Sequence, residues 1–174
     1  MGTREQLLHQ RAKGAKVYDQ APFIQSGAIY RLRINNIKVY EGRKSPCIFL
    51  AEMTVVDRKL TISQAEFDAL PPDRRPQGVG SSVAFQQDQM TDWGSGLMLG
   101  FLAALLDENP DQILVEENGT TLLGEVVDEK QNICKDLEIE CEAYIGKNKE
   151  KKPSPRQRWR HIPAPAGHAL AEVK

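Results

Sequence analysis

The sequence predicts a mainly β domain, a five-stranded barrel with a helical segment inserted before its last hairpin. Three observations carry this prediction. Apolar and polar residues alternate over long stretches near both ends of the domain, the first of these stretches changes phase once, and a dense apolar stretch of helical length lies between them. At 174 residues, of which 40% are hydrophobic and 27% charged, the chain is long enough to bury one core.

The first hairpin has the clearest pattern. A strand is predicted at 28–40, where apolar side chains alternate with polar ones. The pair Asn35 and Asn36 moves the apolar positions from even to odd numbers. A β-bulge is the simplest device that makes this shift, and it bends the strand as a small barrel requires. Residues 41–46 then read as a hairpin loop, and the nearly apolar stretch 47–56 reads as the return strand.

The middle of the chain reads as short elements joined by loops. In chain order these are a helical turn at 63–70 capped by Ser63, a strand at 81–86, a helix at 92–106, a short helix opened by Pro110, and a helix at 120–129. The stretch 92–106 is too apolar for a surface helix, so we expect it to pack against the end of the barrel.

The last hairpin carries most of the positive charge. Strands are predicted at 132–145 and 158–162, joined by a mobile loop at 146–155. Between Gly146 and His161 there are seven basic residues and one acid, whereas the net charge of the whole chain is −1. A polyanion site must therefore be local. The domain is predicted at 25–162, after an N-terminal helix or arm at 1–24 and before a disordered Ala-Pro-rich tail at 163–174.

The order of these elements predicts a particular barrel. A bent hairpin, a third strand, a helical insert and a last hairpin form the outline of the OB-fold, a Greek-key barrel that binds oligonucleotides. In that fold the loops between strands 1 and 2 and between strands 4 and 5 flank the ligand groove. Here those loops are 41–46 and 146–155, and both are basic.

The sequence also resembles a known family. The resemblance spans about 26–162 and is carried by the segments 26–32, 49–55, 78–83 and 100–106, by Cys141-Glu-Ala-Tyr144, and by the triplet Arg158-Trp159-Arg160 after a basic loop. These segments are similar to those of small bacteriophage proteins regarded as OB-fold, single-stranded-DNA-binding-like replication or recombination factors. The resemblance implies a phage origin, a DNA-binding role and the host cytoplasm as the compartment.

The candidate binding residues are cations that would hold phosphates and aromatic rings on which bases would stack. They are Arg31, Arg33, Tyr40, Arg43, Lys44, Tyr144, Lys147, Lys149, Lys151, Lys152, Arg156, Arg158, Trp159 and Arg160. One feature opposes this prediction, because Glu138, Glu140 and Glu142 share the outward face of Tyr144 and would repel phosphate. Either that face turns away from DNA, or the groove is confined to the first strands and the loops, or the glutamates pair with arginines across the sheet.

Other function classes have less support. The three histidines and the scattered aspartates form no catalytic or metal-binding motif, so the sequence predicts no enzyme, no cofactor and no metal. Three cysteines without CxxC spacing predict buried, reduced thiols and a cytoplasmic protein, and no apolar run is long enough for a membrane span. The rival hypothesis is an assembly module whose apolar helix at 97–106 packs on a second copy or on a host protein. A replication or recombination protein is the further partner that the DNA-binding hypothesis predicts.

Overall fold

The computed structural model describes residues 21–171, so the predicted N-terminal helix within 1–24 lies almost wholly outside the described residues. The strands are β1 (Ala28–Tyr40), β2 (Ile48–Leu60), β3 (Ser82–Asp88), β4 (Glu116–Glu117), β5 (Thr120–Thr121), β6 (Glu138–Lys147) and β7 (Pro153–His161). The α-helices are α1 (Gln64–Ala69), α2 (Asp92–Leu106), α3 (Pro110–Ile113) and α4 (Leu122–Val126), and single 3-10 turns occur at Pro72–Arg74 and Ala169–Ala171.

Five strands form one antiparallel sheet in the order β3-β2-β1-β6-β7, and β4 and β5 form a separate small hairpin. The mainly β prediction with a helical insert is confirmed. The closed barrel is not, because within residues 21–171 no backbone ladder joins the edge strands β3 and β7. The two edge strands meet through side chains, and the rings of Phe85 and Trp159 lie 5.1 Å apart.

The predicted bulge in the first strand is confirmed. The β1–β2 register shifts between Ile34 and Asn36, and a second shift follows Arg31. Both halves of β1 therefore send apolar side chains inward, and Ile37 is fully buried beyond the bulge. The alternation fails only at Val39, which is 39% exposed because β1 runs past the edge of the core there.

Helix α2 lies across the open seam. Its apolar residues Met98, Phe101, Leu102 and Leu105 are buried, and Leu97 and Leu99 are half-buried against the same core. Thr91 caps the helix by accepting a hydrogen bond from the Gly94 N–H. The apolar face at 97–106, which the assembly hypothesis would offer to a partner, is thus turned toward the protein's own sheet.

Two further regions compare directly with the sequence prediction. Ser63 caps α1 in a capping box with Glu66, as expected from the Ser-x-x-Glu pattern. The tail at 163–174 was expected to be disordered, but its described part, as far as Ala171, follows the domain surface. The imidazole of His168 lies 2.8 Å from the carbonyl oxygen of Lys135, and Leu170 packs against the core. In residues 21–171 no helix is long and apolar enough to cross a membrane.

Candidate functional site

The β6–β7 hairpin is longer than the sequence predicts, and its loop is shorter. Residues 153–161 pair with 139–147, so only 148–152 remain as a loop instead of 146–155. Within the hairpin Arg160 lies opposite Glu140 and Arg158 lies opposite Glu142 on the outward face. Opposite charges at facing positions stabilise the pairing of these two strands.

The three glutamates of β6 are held between arginines of the two neighbouring strands. Glu138 pairs with Arg31 of β1. On the other side the guanidinium of Arg160 lies 3.0 Å from the carboxylate of Glu140, and that of Arg158 lies 3.2 Å from Glu142. The repulsion of phosphate expected from three adjacent carboxylates is therefore largely neutralised by cross-strand pairing.

The loop at the tip of this hairpin is a compact turn and not an extended mobile segment. The side-chain oxygen of Asn148 accepts hydrogen bonds from the backbone N–H groups of Glu150 and Lys152, at 3.0 and 2.9 Å. Lys151 adopts a left-handed conformation with φ +60°. This geometry leaves Lys149 and Lys151 exposed, and neither has a carboxylate partner within residues 21–171.

Guanidinium groups lie over aromatic rings beside the same loop. Arg158 lies 5.3 Å from the ring centre of Tyr144, and Arg156 lies 5.5 Å from that of Trp93, which is 64% exposed. Gly146 makes this arrangement fit, since a Cβ there would approach the Arg156 side chain to 3.0 Å. Trp93 is not among the predicted binding residues, because only the fold brings α2 against β7.

Trp159 faces inward, an orientation that favours core packing over its predicted role in stacking. It points to the face opposite the flanking arginines, with its ring 4.8 Å from Phe101 and 5.1 Å from Phe85. It is half-buried and packs against the core cluster. We therefore assign Trp159 to the core, and Tyr144 and Trp93 are the aromatic rings that lie beside the loop.

This assignment gives a test at Trp159. We expect Trp159→Phe to lower the free energy of unfolding by about 1–2 kcal/mol, since a smaller ring leaves part of the site empty. Affinity for a single-stranded oligonucleotide should stay within about twofold of the wild type, because the ring contributes no surface for a base. Urea denaturation and fluorescence-anisotropy titration measure the two effects. A tenfold loss of oligonucleotide affinity in a folded variant would show that Trp159 contacts the bound strand.

The remaining candidates lie at the other end of β1. Tyr40 is half-buried, and its hydroxyl donates a 3.1 Å hydrogen bond to the side-chain oxygen of Gln86. Arg43 and Lys44 are exposed in the loop after β1, whereas the loop 148–152 lies beyond the start of β1. The two basic loops thus lie at opposite ends of a 13-residue strand, up to about 40 Å apart if the strand were straight.

The nine other predicted cations do share one surface. We call it the hairpin face and define it as the outward side of β6, of β7 and of the part of β1 that pairs with β6 (28–33), together with residues 147–152. Its predicted members are Arg31, Arg33, Tyr144, Lys147, Lys149, Lys151, Lys152, Arg156, Arg158 and Arg160. Tyr40, Arg43 and Lys44 are not brought together with them.

Buried ionisable groups of the core do not form a reactive site. Burial raises the pKa of the Cys134 thiol to about 12 and raises the pKa of Cys141 further, so both thiols stay protonated at neutral pH. Burial also raises the pKa of Tyr30, whose hydroxyl donates a 2.6 Å hydrogen bond to the carbonyl oxygen of Gln25. Among residues 21–171 no group of histidine, cysteine, aspartate and glutamate side chains is arranged to hold a metal ion.

The arrangement suits a flexible polyanion better than a small molecule. Exposed lysines can neutralise phosphates, and rings already covered on one face by a guanidinium can stack on a base with the other. No family model matches the chain, and no curated protein matches it. The chemistry of the hairpin face therefore carries the functional argument.

Proposed function

We propose that this protein binds single-stranded DNA in a sequence-tolerant way, in the manner of the phage replication and recombination factors that its sequence resembles. The observation that carries the proposal is the hairpin face, where exposed cations surround the ring of Tyr144. Single-stranded nucleic acid requires this combination, because cations follow its backbone and aromatic rings stack on its unpaired bases.

The charge balance of the hairpin face favours phosphate. It contains nine cations, namely Arg31, Arg33, Lys147, Lys149, Lys151, Lys152, Arg156, Arg158 and Arg160. Four carboxylates lie among them, Glu138, Glu140, Glu142 and Glu150, so nine minus four leaves an excess of five positive charges. Such an excess supports contacts to about 3–5 phosphates, with the logarithm of affinity falling by about 0.7 per contact for each decade of salt.

The strand order supports an OB-like classification within the same proposal. The OB-fold is a five-stranded, partly open Greek-key barrel, and here a three-stranded meander is joined through β1 to a last hairpin. We infer that the unpaired β3 and β7 edges make this protein an open variant of that barrel. Binding would then use the hairpin face, with Tyr40, Arg43 and Lys44 as secondary contacts on a longer strand.

A titration tests the proposal. Fluorescein-labelled 20-nucleotide oligo-dT is titrated with the full chain at 50 and 200 mM salt, with oligo-U and a 20-base-pair duplex as competitors. We expect micromolar or tighter binding that weakens at the higher salt and is displaced poorly by the duplex. Absence of salt-sensitive oligo-dT binding at micromolar protein would contradict the proposal. Preferential displacement of oligo-dT by the duplex would identify double-stranded DNA as the preferred ligand.

The ion pairs of the hairpin face predict an unusual gain of affinity. Changing Glu140 and Glu142 to glutamine frees Arg158 and Arg160 for phosphate, so we expect oligo-dT affinity to rise about 3- to 10-fold with a steeper salt dependence. The matched control changes Glu116 and Glu117 to glutamine, which alters net charge equally but on the separate β4–β5 hairpin. Equal effects of the two variants would show that only net charge matters.

A further inference from the structure

An open groove of about 1100 Å³ lies at the seam between the edge strands. One wall is β3 and the other is the β6–β7 hairpin, including Tyr144 and Ile145. Its end is formed by the segment 23–27, which crosses from β3 to β6: Phe23 bridges Ala84, and the Gly27 N–H donates to the carbonyl oxygen of Ala143 at 2.8 Å. The groove therefore opens directly beside the hairpin face.

Two glutamine side chains on opposite walls offer free hydrogen-bonding groups to this groove. Gln87 of β3 and Gln157 of β7 both line it and are half-buried. Their side-chain amides make no hydrogen bond to any residue in 21–171, although other amides nearby, such as that of Gln77, are bonded to the backbone. Each amide supplies donors and an acceptor in one plane, the combination that matches the edge of a nucleobase.

The mouth of the groove is apolar and aromatic. Phe23 is 56% exposed and Ile145 is 58% exposed, and Tyr144 lies between the groove and the guanidinium of Arg158. Exposed rings at a mouth that leads to polar groups inside favour a flat ligand with an apolar face and a polar edge. A nucleobase has both features.

The charges at the far end exclude phosphate from the groove. Glu66 and Asp73 line that end with one cation, Arg74. Glu66 is committed to its capping box with Ser63, which lowers the pKa of its carboxyl and keeps it ionised. A neutral base is therefore accepted where a phosphate would be repelled, while the phosphates remain on the lysines and arginines outside.

We propose that the seam groove takes unpaired nucleobases from the strand bound on the hairpin face, with the amides of Gln87 and Gln157 bonding to base edges. This inference deepens the proposed function and rests on it. The protein would then contact the bases of the bound strand as well as its phosphates, so its affinity for the strand should depend on the presence of bases. Tyr144 is the point where the hairpin face passes into the groove.

The test separates bases from backbone by comparing oligo-dT with an abasic oligonucleotide of the same length. In the wild-type full chain we expect oligo-dT to bind at least 5-fold more tightly than the abasic strand. Changing Gln87 and Gln157 to methionine keeps side-chain length and removes the amides, and should weaken oligo-dT binding about 3- to 10-fold while abasic binding stays constant. Gln131→Met, at an exposed position away from the groove, is the control.

The outcomes distinguish this inference from the function on which it rests. The inference that the groove takes nucleobases is wrong if the wild type binds both oligonucleotides equally, or if the variant loses the same affinity for both. Either result leaves the proposed binding of the DNA backbone intact. Absence of binding to either oligonucleotide overturns both proposals. Photocrosslinking of 5-iodouracil-substituted oligo-dT to the wild type gives a readout independent of variant folding. Crosslinks at Phe23 support the groove, and crosslinks at Tyr40, Tyr144 or Trp93 without Phe23 overturn it.

Discussion

Changing Lys147, Lys149 and Lys151 to glutamine is expected to weaken oligo-dT binding about 10²- to 10³-fold at 50 mM salt. All three lysines are exposed, and none pairs with a carboxylate in the described part of the chain, so each is available to a phosphate. If each neutralises one phosphate, the slope of log affinity against log salt becomes shallower by about 2. The deficit should shrink to about 30-fold at 200 mM, because screening weakens the same contacts in the wild type.

The control for this prediction changes Lys59, Lys130 and Lys135 to glutamine. These lysines are also exposed and the net charge changes by the same amount, but they lie outside the hairpin face. Anisotropy titrations at three salt concentrations give affinity and slope together. An unchanged slope in the hairpin variant, or the same loss in the control variant, would mean that the loop does not contact the backbone.

Local signals explain why much of the fold can be predicted from the sequence. The predicted bounds of β1 and of helix α2 agree with the structure, at Ala28–Tyr40 and Asp92–Leu106. Alternation within one strand and apolar density within one helix are properties of the segment itself. The bulge at Asn35 and Asn36 is likewise a local signal, because the apolar positions of β1 change once from even to odd numbers there.

Features that depend on distant partners were predicted less well. The first three residues of β7, 153–155, include two prolines and read as loop, yet they pair with the end of β6. This is an edge strand, where a missing backbone N–H is tolerated. Closure of the sheet is also a non-local property, because it depends on how β3 and β7 meet across the seam, and here only side chains meet.

The same reasoning applies to the candidate site. Tyr144 and the loop lysines were identified from composition and alternation, and the structure places them on one surface. Trp159 was assigned to the surface because two arginines flank it, although alternation along a strand turns it away from both neighbours. Trp93 carried no sequence signal, since its contact with Arg156 exists only after α2 has packed on β7.

Phe101 holds the open sheet together, and its loss is expected to have the largest effect on stability. Its side chain is fully buried, and its ring lies 6.0 Å from Phe49, 5.0 Å from Phe85 and 4.8 Å from Trp159. It therefore contacts β2, β3 and β7 at once from helix α2. No backbone ladder joins β3 and β7 in the described residues, so these aromatic contacts link the two strands directly.

We expect Phe101→Ala to lower the free energy of unfolding by about 3–5 kcal/mol, the cost of a large cavity in a packed core. For a chain of this length the melting temperature should fall by about 6–20 °C. Leu106→Ala, at a half-buried position on the same helix, is the control and should cost less. Urea denaturation measures both variants. A decrease in the free energy of unfolding below about 1 kcal/mol would show that other contacts hold β2, β3 and β7 together. A buried aromatic side chain on which three strands depend should cost several times more to remove.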